Sequence, residues 1–175
     1  MRTVRTVHIA ITTVMLAAFV VVGPLAAADE DALPDEAAVL ASVEVMFADP
    51  LSLRAQDAQK TVMEFSQGSD KVRVLVARNL GFYPGSMHAE TLLAQYIAGV
   101  VKFDLENPKQ ASDERLGIQA GLQAALNAYK KIRSREPSLS VPALDSAEAS
   151  MKNGQLSVFI GEALARSKQD RITAQ

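Results

Sequence analysis

Cysteine and tryptophan are both absent from this 175-residue sequence, and aromatic side chains make up only 5% of it. Without cysteine there can be no disulfide framework, thiol nucleophile, lipoprotein acylation site or thiolate metal site. Histidine occurs only twice, at His8 and His88. There is also no Gly-rich phosphate loop, Gly-x-Ser-x-Gly elbow, His-Glu-x-x-His helix or Ser-x-x-Lys dyad. No catalytic residue, cofactor or metal ligand is therefore assigned. An Asn-x-Ser/Thr glycosylation acceptor is missing as well, which points toward a bacterial envelope. The formal charge is -2, opposite in sign to the footprint expected of a nucleic-acid or anionic-lipid binder. The one basic cluster, Lys130, Lys131, Arg133 and Arg135, reads as the last turns of a helix, where cations complement the carbonyl end of the dipole.

The amino terminus has the layout of an export signal. Arg2 and Arg5 precede a charge-free apolar run from Ile9 to Val22, followed by Gly23-Pro24 and Ala26-Ala27-Ala28. The expectation is a signal peptide over residues 1–28, cleaved after Ala28, and a periplasmic or extracellular protein. The alternative is an uncleaved inner-membrane anchor, since the apolar stretch approaches the ~20 residues that a span needs, but Gly23-Pro24 would break such a helix. Cleavage removes two arginines and no acid, shifts the formal charge from -2 to -4 and leaves His88 as the only histidine. Beyond the leader we expect an acidic, solvated start over residues 29–34, a helical domain over 35–168 and a polar tail over 169–175.

Within the domain, apolar residues recur mainly at helical spacing. Leu51, Ala55, Ala58, Val62 and Phe65 form one stripe. Leu93, Tyr96, Ile97, Val100 and Val101 form a second, Ile118, Leu122, Ala125, Tyr129 and Ile132 a third, and Leu156, Phe159, Ile160, Ala163 and Leu164 a fourth. Shorter helices are expected over 35–48 and 142–152. Residues 71–77 are ambiguous, because Val72, Val74 and Val76 alternate like a strand while Val72, Leu75, Val76 and Leu80 fit a helix. A lone strand has no partner in a helical chain, so helix is chosen. The expected fold is all-α, a single compact domain of six or seven antiparallel-packed helices built in helical-hairpin style. Gly117, Gly121, Ala124 and Ala128 form a stripe of small residues. Because glycine inside a helix costs ~1 kcal/mol relative to alanine, the stripe predicts another helix crossing close to the backbone.

The stretch from Asn79 to Leu93 reads as a corner: Gly81 ends one helix, Pro84-Gly85 turns, and Ser86 caps the next. Phe82 and Tyr83 either cap the core from beneath this corner, the favoured reading, or form an amphipathic lip. His88 would sit in the first helical turn, where it lacks companions for chemistry. Phe82, Tyr83 and His88 are the candidate interaction surface. The carboxylate pairs Asp104/Glu106 and Asp113/Glu114 read as solvated helix ends. Taken together, the residues suggest a non-enzymatic, exported domain that binds another envelope protein or a peptide in a groove between helices. Two alternatives are a carrier for a small apolar molecule, with Tyr83, Tyr96 or Tyr129 as polar handle, and a hydrolase using His88 with a distant carboxylate.

Overall fold

The computed structural model describes residues 33–76 and 87–173. The proposed leader, residues 29–32 of the acidic start, and Phe82, Tyr83 and Ser86 lie outside the described residues. The described residues form six α-helices and no strand: α1 (Glu36–Ala48), α2 (Leu53–Gly68), α3 (Ala89–Glu106), α4 (Glu114–Arg135), α5 (Pro142–Lys152) and α6 (Leu156–Thr173). The last helix continues past residue 168, the point from which the sequence suggested a polar tail. Among the described residues, no helix is long and apolar enough to cross a membrane.

Local chemistry sets the helix starts. The Asp35 side chain accepts from the Ala38 N–H at 2.8 Å, Ser52 caps Ala55, and the Asp113 carboxylate accepts from the N–H groups of Arg115 and Leu116. Because Ser52 is the cap of α2, Leu51 lies ahead of that helix instead of inside it. Pro142 stands in the first turn of α5, where a missing N–H costs nothing.

Helix α3 is the centre of the packing. Its residues 94–101 are buried on every side, as in a helix surrounded by others instead of resting on a surface. It contacts α1, α2 and α4, while α5 and α6 pack beyond α4. Val100 lies against Gly117, and Tyr96 against Gly121, so α3 and α4 run antiparallel. Their backbones approach very closely at this point. A Cβ on Gly99 would lie 2.6 Å from Ala124 Cβ and 2.7 Å from the Ala120 carbonyl oxygen. A Cβ on Gly121 would lie 2.8 Å from the Tyr96 ring and from Val100 Cγ2. Two glycines on facing helices thus remove the side chains that would hold the axes apart.

The stretch from residue 71 to 77, chosen as helix in the sequence, is corrected by the structure. Residues 72–76 form neither helix nor strand. The cause is competition for backbone groups: the Arg73 N–H donates to Asp104 Oδ2 at 3.0 Å, and the Leu75 carbonyl accepts from the Tyr96 hydroxyl. Both partners stand on α3, so these groups are used across the core instead of in a local i→i−4 ladder. Val72 is buried by the same docking.

The seam predicts a sharp contrast among glycines. Gly99→Ala, or Gly121→Leu, should overpack it by about 1–3 kcal/mol, lowering the melting temperature by roughly 2–4 °C for each kcal/mol. Gly161 in α6 has open space around its Cβ position, so Gly161→Ala should leave stability unchanged or raise it by up to about 1 kcal/mol. Thermal unfolding followed by circular dichroism measures all three, and equal effects would refute the close crossing.

Candidate functional site

One hollow in the described residues lies where the start of α1, the segment of residues 69–76 that crosses α3 (the crossing segment), the end of α3 and the loop after it meet. Its volume is about 560 Å³, and its walls include Glu36, Lys71, Val72, Leu105, Pro108 and Ser112. A second hollow of about 820 Å³, walled by Leu33, Phe65 and Gly68, shares Glu36, Asp70 and Lys71 with the first. The Lys71 ammonium is paired with the Glu36 carboxylate, so an ion pair stands where the two hollows adjoin, and together they are called the groove.

Asp104 stands in the wall of the first hollow and is only 2% exposed. Burial raises its pKa, against a smaller opposing effect of the Arg73 N–H. That N–H occupies Oδ2, and the second carboxylate oxygen has no donor among the described residues. The sequence reading of Asp104 and Glu106 as a solvated pair is therefore corrected for Asp104. The signal was available: Ile97, Val100, Val101 and Asp104 occupy one helical stripe, so Asp104 follows the buried face while Glu106 turns outward to Lys102. Of the second pair, Asp113 is the cap of α4 and Glu114 faces Arg73 at 3.5 Å.

His88 is itself the N-cap of α3, one position before the helix, instead of a first-turn residue. Its φ of 61° puts it in the left-handed region, which is uncommon for a residue with a Cβ. Its side chain makes no cap bond; Nε2 lies 2.9 Å from Glu136 Oε2. Glu136 is the C-cap of α4, so this contact ties the start of α3 to the end of α4. Sequence reasoning missed it because the two residues are 48 positions apart. Gly117, Gly121, Ala124 and Ala128 are all buried, with Gly117 and Gly121 at the seam. Ala124 and Ala128 also wall a smaller hollow of about 240 Å³ beside Phe47 and Gln95.

Tyr96 and Tyr129 are occupied inside the core. Tyr96 is fully buried, which raises its pKa, and its hydroxyl serves Leu75. The Tyr129 hydroxyl donates to Asp145 Oδ1 at 2.8 Å and accepts from the Val141 N–H at 3.1 Å. The basic cluster is occupied as well. Lys131 donates to the last carbonyls of α1, at Phe47 and Ala48, and Arg135 pairs with Asp49. Arg133 binds Asp145 and Glu148 and lies over the Tyr129 ring. Hydrogen bonds from Lys152 and Arg133 hold the Glu148 carboxyl below its ordinary pKa. Among the described residues there is no group of three or more histidine or acidic side chains able to hold a metal ion. Comparison with protein-family models, curated proteins and solved structures returns no match.

The two buried acids should respond to pH in opposite directions. Glu148, with its pKa lowered, contributes stability above the ordinary carboxylate range and loses it as pH falls through the folded value. Asp104, with its pKa raised, favours the folded state at low pH and loses that contribution as pH rises through the same range and beyond. Glu148→Gln should therefore destabilise at neutral pH, with the deficit closing in acid. Asp104→Asn keeps an acceptor for the Arg73 N–H and should match or exceed the native chain at neutral pH, with the advantage fading in acid. Denaturant unfolding between pH 3 and 8 measures both, and parallel trends would contradict the assignment.

Proposed function

We propose that this chain is an exported, non-enzymatic binding domain that holds a peptide segment of another envelope protein in the groove between α1, the crossing segment and the end of α3. The observation that carries this reading is the form of the hollow. Two open hollows adjoin at the Lys71–Glu36 ion pair and have mixed apolar and charged walls, an arrangement that suits successive side chains of an extended peptide. Export rests on the leader-like segment before residue 29. The carrier reading has less support at two of its three proposed polar handles, because Tyr96 and Tyr129 spend their hydroxyls on Leu75, Asp145 and Val141, while Tyr83 lies outside the described residues.

A second reading, a hydrolase using His88, gains one observation in the Glu136 carboxylate at 2.9 Å, a distance at which an acid can orient an imidazole. It is the weaker reading, since the same contact already serves to join two helix ends.

A photo-crosslinking residue at Ala111, in the groove wall, should capture a protein or peptide in the cell envelope, while one at the exposed Val158 on α6 should not. Equal capture from both positions, or a purified chain that carries a stoichiometric small apolar molecule by native mass spectrometry, would contradict the proposal.

A further inference from the structure

The charge balance of the groove is uneven. Its first hollow contains three acids, Glu36, Asp70 and Asp104, and two bases, Lys71 and Arg73. Both bases are already engaged, Lys71 with Glu36 and Arg73 with Glu114. Among the described residues, neither Asp70 nor Asp104 enters an ion pair, whereas Glu36 does. Asp104 is the more demanding of the two, because it is buried and accepts a single backbone hydrogen bond. A buried carboxylate with an unspent oxygen carries an uncompensated desolvation cost, which a cation or a strong donor relieves.

We propose that Asp104 is the counter-charge for one lysine side chain of the bound peptide, its ammonium meeting Asp104 Oδ1 and its aliphatic stem lying along Val72, Leu105 and Pro108. This rests on the reading of the groove as a peptide site. Lysine is preferred to arginine because one oxygen is already taken by the Arg73 N–H, so the bidentate fork of a guanidinium finds only half its acceptor, while a point charge needs only one. The apolar wall suits the four methylenes of a lysine stem that carries its charge to the end of a hollow. Asp70 at the groove's junction adds a second negative charge to the approach.

The experiment is selection from a library of random peptides displayed against the purified full chain, with binders mapped by crosslinking. Groove-mapped binders should share a lysine at one fixed position. Acetylating that lysine should weaken binding to the native chain by roughly tenfold or more, and selection on Asp104→Asn should lose the lysine preference. The acetylation arm uses only the native chain, so it does not depend on how the variant folds. Groove binders with no lysine preference, with arginine in its place, or with a preference unchanged in Asp104→Asn would overturn the assignment of Asp104 and leave the groove reading standing. A library that yields no groove-mapped peptide would overturn both.

Discussion

The structure depends on the backbone approach of α3 and α4 at Gly99 and Gly121. Helices with ordinary side chains at the contact pack with axes 8–10 Å apart. Here Ala124 and the Ala120 carbonyl fill the space that a Gly99 Cβ would take, and the Tyr96 ring fills the space beside Gly121. The ring can lie there only because Gly121 has no side chain, and its placement carries the hydroxyl to the Leu75 carbonyl. That bond, with the bond from the Arg73 N–H to Asp104 about two turns further along α3, fixes the path of residues 72–76. The groove wall is thus a consequence of the seam, reached in three steps: glycine to tyrosine, tyrosine to crossing segment, crossing segment to groove.

Electrostatics finish the assembly more than they drive it. The end of α4 spreads cations to its neighbours: Lys131 to the exposed carbonyls of α1, Arg135 to Asp49, and Arg133 to α5. Exposed pairs of this type contribute about 0–1 kcal/mol each. Glu148 differs, because its carboxylate is only 9% exposed and meets Lys130, Arg133 and Lys152. The basic cluster therefore serves the fold, as its position at a helix end suggested.

Much of the architecture was legible in the sequence. Helical periodicity located α2 to α4 and α6, the shorter helices fell close to their expected limits, and the description as an all-helical chain holds for the described residues. What was not legible depended on contacts between residues distant in the chain. The valines at 72, 74 and 76 fit two periods equally well, and the deciding partners, Tyr96 and Asp104, lie 21 and 31 positions from the groups they bind. Asp104 was read with its neighbour Glu106 when its helical stripe placed it with Val100 and Val101. His88 had no companion in its own stretch of sequence, and only folding brings Glu136 to it. Phe82 and Tyr83 lie outside the described residues, so of the interaction surface that the sequence suggested only His88 is described.

The most direct measurement of the central claim is native-state amide hydrogen exchange. If the seam is the keystone, amides of residues 94–101 and 117–129 exchange only through global unfolding, with the free energy of the whole domain, while α5 and α6 open at lower cost. Exchange of the seam amides below the global free energy, with α1 and α2 more protected than α3, would contradict it.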